Sequence, residues 1–177
     1  MTTKIGILFL GLLLCLGCNK SAPDPRIAEL EAEIKKLKTG VKTLDAAKKA
    51  MRELKKMDSV IEMGINYPNY TKTLLETKPA FDEAMTDVPE GNLKVALATT
   101  MKAYIDAGTF WNIYVTRESE FGFVRFEDEE REKFKDYKIP WDSGSYAKAE
   151  TVREFWAFAT VSLAVAEELI KRETAKP

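Results

Sequence analysis

The chain of 177 residues contains no histidine. That absence removes the commonest general base and the commonest metal-binding side chain. It also removes the carboxylate metal sites of helical bundles, which draw on Glu-x-x-His pairs. Cysteine is nearly absent. Cys15 and Cys18 are the two in the chain, and both stand near its start, so no Cys/His zinc site fits the remainder. An excess of one charge is missing as well. With 27 Lys+Arg against 28 Asp+Glu the net charge is -1, and no polybasic surface supports a nucleic-acid partner. Long apolar runs are scarce. Ile5–Leu16 holds 12 residues, about 18 Å as a helix, short of the ~30 Å of a hydrocarbon core. Phe155 to Ala166 is free of charge but also shorter than the ~20 residues a span requires, so it reads as core.

The start of the chain is organised as Met1-Thr-Thr-Lys4, the apolar run, then Gly17-Cys18-Asn19-Lys20. A cationic residue before a short apolar segment suits a cleavable secretory leader better than a membrane anchor. Leu16-Gly17-Cys18, with cysteine directly after a small residue, resembles the lipobox of bacterial lipoproteins. The position three before Cys18 is Cys15, where that family more often has leucine. The resemblance covers about the first 20 residues. It implies a lipid on Cys18 and removal of residues 1–17, with residues 18–25 as a lipidated linker. Cleavage there would leave 160 residues and no second cysteine, hence no intramolecular disulfide. A triacylated cysteine gives stable anchoring where a single chain is marginal. In a cell with two membranes, the family's sorting pattern and Asn19 imply the outer membrane, facing the periplasm.

What the rest of the chain does contain is 45% hydrophobic and 10% aromatic residues, enough for a folded core. Pro23 and Pro25 disfavour a helix start before them. Ile27, Leu30, Ile34, Leu37, Val41 and Leu44 then recur at 3-4 spacing. With β-branched residues at a and leucine at d, this heptad pattern favours parallel dimers. It predicts a homo-oligomer through Ile27–Leu44, or one long amphipathic helix whose second half packs on the domain. Gly40 interrupts the repeat at a cost of about 1 kcal/mol. Ala47, Met51, Leu54, Met57 and Ile61 continue a helical stripe in a shifted register. Residues 26–63 are therefore read as an amphipathic helix or short coiled-coil spacer, and 64–177 as a domain.

Gly64, Asn66 and Pro68 mark the end of one helix, the cap of the next and its first turn. Pro79 is expected to kink or split this second helix. A third helix is expected from about Asn92 to Arg117. Ala107 and Gly108 leave it a smooth patch for close approach by a neighbour. Glu118 to Asp142 reads as irregular, with Phe121, Phe123 and Phe126 hinting at a short extended piece. A last helix is expected from near Ser145 to Glu173, apolar on most sides and hence central. The fold class is all-α: three to four antiparallel helices in a bundle, with one long irregular connection.

No residue pattern assigns catalysis. Asp82/Glu83 and the run Glu127–Glu130 are carboxylate clusters without an identifiable partner, and neither has EF-hand spacing. The chain is accordingly read as non-enzymatic, without cofactor or metal. The aromatics Phe121, Phe123, Phe126, Trp141, Trp111 and Trp156 are the candidate partner-binding or ligand-binding residues, the alternative being that they form the bundle core. The expected function is a lipid-anchored envelope protein docking a protein partner through a helical module. A small apolar ligand is the second possibility, and a carboxylate hydrolase a more remote one.

Overall fold

A computed structural model of the chain describes residues 25–117 and 122–175. Residues 1–24 lie outside the described residues, as does Phe121, so the expected leader, the expected lipid site Cys18 and the expected linker up to residue 24 fall there. The described residues form an all-α helical bundle. Its helices are α1 (Pro25–Glu62), α2 (Tyr67–Met85), α3 (Asn92–Thr116), α4 (Asp128–Lys133) and α5 (Val152–Thr174). A two-stranded antiparallel ribbon joins β1 (Val124–Arg125) to β2 (Tyr146–Ala147). The chain divides into two compact units, Met1–Leu37 and Lys38–Pro177, and the division falls inside α1.

In the first unit the described residues, 25–37, are helical. Ile27, Leu30, Ile34 and Leu37 are 50% to 64% exposed, an apolar row that no described residue covers. The acidic and basic residues interleaved with it are exposed too. Helix α1 does not break at Gly40, where nothing lies within 4 Å of a hypothetical Cβ. A single glycine weakens a long helix without ending it, since both flanking turns keep their hydrogen bonds.

In the second unit the same helix changes character. Val41 is exposed, Leu44 is half-buried, and from Ala47 onward the stripe is covered. Ala47, Ala50, Met51, Leu54 and Met57 are buried in the common core. Ion pairs flank this part: Lys42 with Asp87, Lys49 with Glu83 and Lys55 with Glu167. Glu53 is buried beside them and takes the Lys56 ammonium at 2.6 Å. Gly64, at a φ of 81°, closes the turn after α1.

Asn66 caps α2 by accepting from the Asn69 amide at 3.0 Å, with Pro68 in the first turn. Pro79 does not split α2, which passes through it as one helix. Pro79 and Leu75, the residue four before it, are both exposed, so the carbonyl deprived of its partner lies on the solvent side. Where α2 meets α3, a Cβ on Gly108 would lie 3.3 Å from Leu74 Cδ2 and 3.4 Å from the Tyr70 ring. The smooth patch at Ala107 and Gly108 is therefore the α2 docking point. Helix α5 packs along α3 and buries Val152, Phe155, Ala159, Leu163, Ala166 and Ile170.

The described part of the connection between α3 and α5, from residue 122 on, is more ordered than expected. Val124 pairs with Ala147 and Arg125 with Tyr146. The last helix therefore starts later than Ser145: the ribbon and a 3-10 turn, Ala149–Thr151, come first. The acidic run becomes the start of α4. The Glu127 side chain accepts from the N3 amide, and Glu130 accepts from the Glu127 amide at 2.9 Å, a capping box.

Candidate functional site

The aromatic residues fall into two groups. The first lies under the connection. Phe126 is buried and stacks on Phe110 of α3 at 4.7 Å between centroids and 10° between planes. Phe134 meets Phe110 and Phe155 edge-on, at 5.8 and 5.2 Å. Tyr137 tilts against Phe155 at 4.3 Å, and half-buried Trp141 sets its edge on Phe126 at 5.3 Å. Phe123 is half-buried with the Lys148 ammonium 4.7 Å from its ring centre. These contacts make Phe126 a core residue, and the described aromatics of the connection form a plug for the bundle. A wide exposed patch, which a docking surface requires, is not what they build.

A bidentate ion pair ties the connection to the end of α3, beside the Tyr137 hydroxyl's bond to Asp106 at 2.6 Å. Arg117, just after α3, places both terminal nitrogens on Glu130, at 2.8 and 2.6 Å, and Nη1 also reaches the Arg125 carbonyl at 2.9 Å. Burial alone would raise the Glu130 carboxyl. The Arg117 bonds, the Glu127 amide and the nearby Lys133 charge outweigh it and hold the group below the ordinary carboxylate range. The other acidic cluster is also engaged, Asp82 with Lys78 and Glu83 with Lys49. Among the described residues no three His, Cys, Asp or Glu side chains gather as metal ligands. None of the described helices is long and apolar enough to cross a membrane.

The second group surrounds Trp111 of α3 and Trp156 of α5. The two indoles meet edge-to-face at 5.6 Å. Tyr67 touches Trp111 at 5.8 Å, and Tyr70 touches Trp111 at 5.7 Å and Trp156 at 5.8 Å. Both tryptophans are half-buried and line a pocket of about 420 Å³ with Ile61, Ile65 and Val152. Exposed Glu150 and Arg153 stand among its lining residues. Beneath it, the Tyr70 hydroxyl donates to the Tyr104 carbonyl at 2.7 Å. Burial pushes the Tyr70 phenol well above its ordinary value, and the neighbouring Trp156 indole partly offsets that rise. The indole nitrogen itself is buried without a partner at full hydrogen-bond geometry.

Of the candidate residues, the structure thus brings Trp111 and Trp156 together. It sets Phe126 and Trp141 in a different cluster and leaves Phe123 at the edge under Lys148. Sequence reasoning missed Ile61, Ile65 and Val152 as pocket residues. Ile61 carried a signal as the last member of the α1 stripe, whereas Ile65 sits in a turn where periodicity is silent. No protein-family model, curated protein or solved structure matches this chain.

Proposed function

We propose that this chain is a lipid-anchored envelope protein whose helical body is a non-catalytic interaction module. The observation that carries the reading is the apolar row Ile27, Leu30, Ile34, Leu37 and Val41, at least half exposed along one helix. Large apolar residues repeated at heptad spacing are characteristic of a surface built to meet another helix. The docking surface is therefore assigned to this row rather than to the aromatics of the connection. The Leu16-Gly17-Cys18 resemblance supports anchoring through Cys18, and Asn19 supports the outer membrane, facing the periplasm, in a cell with two membranes. Absence of histidine, and a Glu130 carboxyl shifted down where a general acid needs it shifted up, favour a non-catalytic role.

Two linked measurements test this. Palmitate labelling and fractionation of the native protein should show a membrane-bound, lipidated species. A Cys18→Ser variant should leave the membrane in a high-salt wash, and its retention there would sink the anchor. Crosslinking in the envelope followed by purification should recover a protein partner, and Leu30→Ser with Leu37→Ser should lose it.

The pocket between Trp111 and Trp156 favours a second reading, a small apolar ligand held against two indoles. Titration with a medium-chain fatty acid should change tryptophan fluorescence saturably, and Val152→Trp should abolish the change. A response that never saturates would dispose of this reading.

A further inference from the structure

We infer that the exposed row on α1 receives the same row of a second copy of this chain, parallel and in register, and that charges flanking it select that arrangement. The inference rests on the interaction-module reading and names its partner. With Ile27, Ile34 and Val41 at a, and Leu30 and Leu37 at d, the flanking positions follow directly. Arg26 and Glu33 occupy g, while Glu31 and Lys38 occupy e. All four are exposed. In a parallel pair each g side chain meets the e side chain five residues further on in the other helix. Arg26 then faces Glu31, and Glu33 faces Lys38. Both pairings are of opposite charge, and two-fold symmetry repeats each of them.

An antiparallel pair centred on the same row uses the charges less well. It sets Glu31 against Lys38 but leaves Glu33 opposite Gly40, which has no side chain to offer. The a and d residues agree with the parallel choice, because β-branched residues at a with leucine at d pack best in parallel dimers. The contact is also bounded. It ends where Leu44 becomes half-buried and Ala47 enters the core of the chain's own bundle. So short a seam pairs weakly in free solution. Tethering both copies to one membrane by their first residues raises their effective concentration and sets the helices pointing the same way.

The test uses the full lipoprotein in detergent and in phosphatidylethanolamine/phosphatidylglycerol vesicles, treated with a zero-length carbodiimide that joins carboxylates to amines. A covalent dimer is expected, stronger in vesicles, with Glu33 linked to Lys38 between copies. Glu33→Lys alone and Lys38→Glu alone should each weaken dimerisation about tenfold, since each sets like charges face to face. Mixing those two variants should restore it, because every pair in the mixed dimer is again of opposite charge. Unaltered helical content and thermal midpoint in both variants would show that the fold is intact. A protein monomeric in vesicles, a dimer linked through Glu31–Lys38, or charge variants that pair as well as the parent would each overturn the inference. If a foreign protein were lost with Leu30→Ser/Leu37→Ser while no self-dimer formed, the interaction module would survive and only self-pairing would fall.

Discussion

The Tyr70 hydroxyl donates to the backbone carbonyl of Tyr104 at 2.7 Å, tying α2 to α3 in the centre of the bundle. Tyr104 lies inside α3, so its carbonyl keeps an intrahelical partner when the phenol is removed. Tyr70→Phe is therefore expected to cost about 1 kcal/mol, the usual net worth of one neutral hydrogen bond. Urea unfolding should show a lower midpoint and an unchanged slope.

The same pair makes stability sensitive to high pH. Burial raises both the Tyr70 and the Tyr104 phenols above their ordinary value near 10, and for Tyr104 the Asp58 charge adds to the rise. Their contribution is complete below about pH 10, where the unfolded chain also holds its protons. Above that pH the unfolded state ionises first, and stability falls by up to about 1.4 kcal/mol per pH unit for each tyrosine until the folded groups titrate. Urea midpoints between pH 9 and 11 should decline, with tyrosinate absorbance rising together with unfolding. In Tyr70→Phe the decline should be shallower.

Gly108 sets the distance between α2 and α3. Alanine there would need Leu74 to move by a few tenths of an ångström, and Leu74 is only half-buried, so its chain end can give way. A gain in helix propensity of up to about 1 kcal/mol offsets the crowding. Gly108→Ala should change stability little. Gly108→Val adds carbons toward the Tyr70 ring, which is buried and pinned, and should lose about 1–3 kcal/mol by overpacking. Thermal unfolding of the two variants makes the comparison.

Phe126 separates core from docking surface. Its ring is buried on Phe110 and edged by Phe134 and Trp141. Phe126→Ala should destabilise the bundle by about 3–5 kcal/mol. Leu30→Ser on the exposed row should leave the unfolding free energy of the monomer within about 0.5 kcal/mol of the parent. A well-folded Phe126→Ala protein would return that residue to the list of surface contacts.

Arg117 and Glu130 fasten the connection. Because the Glu130 carboxyl is held low, the contact is fully present above the unfolded carboxylate value near 4.5 and is lost as the pH falls through the lowered one. Glu130→Ala should open residues 117–148 to proteolysis at neutral pH while α3 and α5 stay protected from hydrogen exchange. Equal loss of protection across all helices would show that the contact supports the whole bundle instead.

The four long helices were legible because each carries an apolar row at helical spacing over 19 residues or more. The 122–148 stretch was not. Its order comes from Val124 meeting Ala147, and from Arg117 reaching Glu130, contacts that leave no local period. The capping box there uses Glu127 at the cap, outside the usual Ser/Thr/Asp/Asn choice, so the start of α4 was hidden. The aromatic residues were readable as a set but not as two sets. Spacing alone cannot say that Phe126 turns to Phe110 while Trp111, the next residue of α3 after Phe110, turns to Trp156. Pro79 did not split its helix because a missing amide matters less on a face that water can reach.

The ring contacts also order events in time. Phe110 belongs to α3 and Phe155 to α5, and Phe134 meets both rings, so its full seat exists only when those two helices are together. The turn that carries Phe134 is therefore expected to settle after α3 and α5 have paired, and to be released when they part on warming.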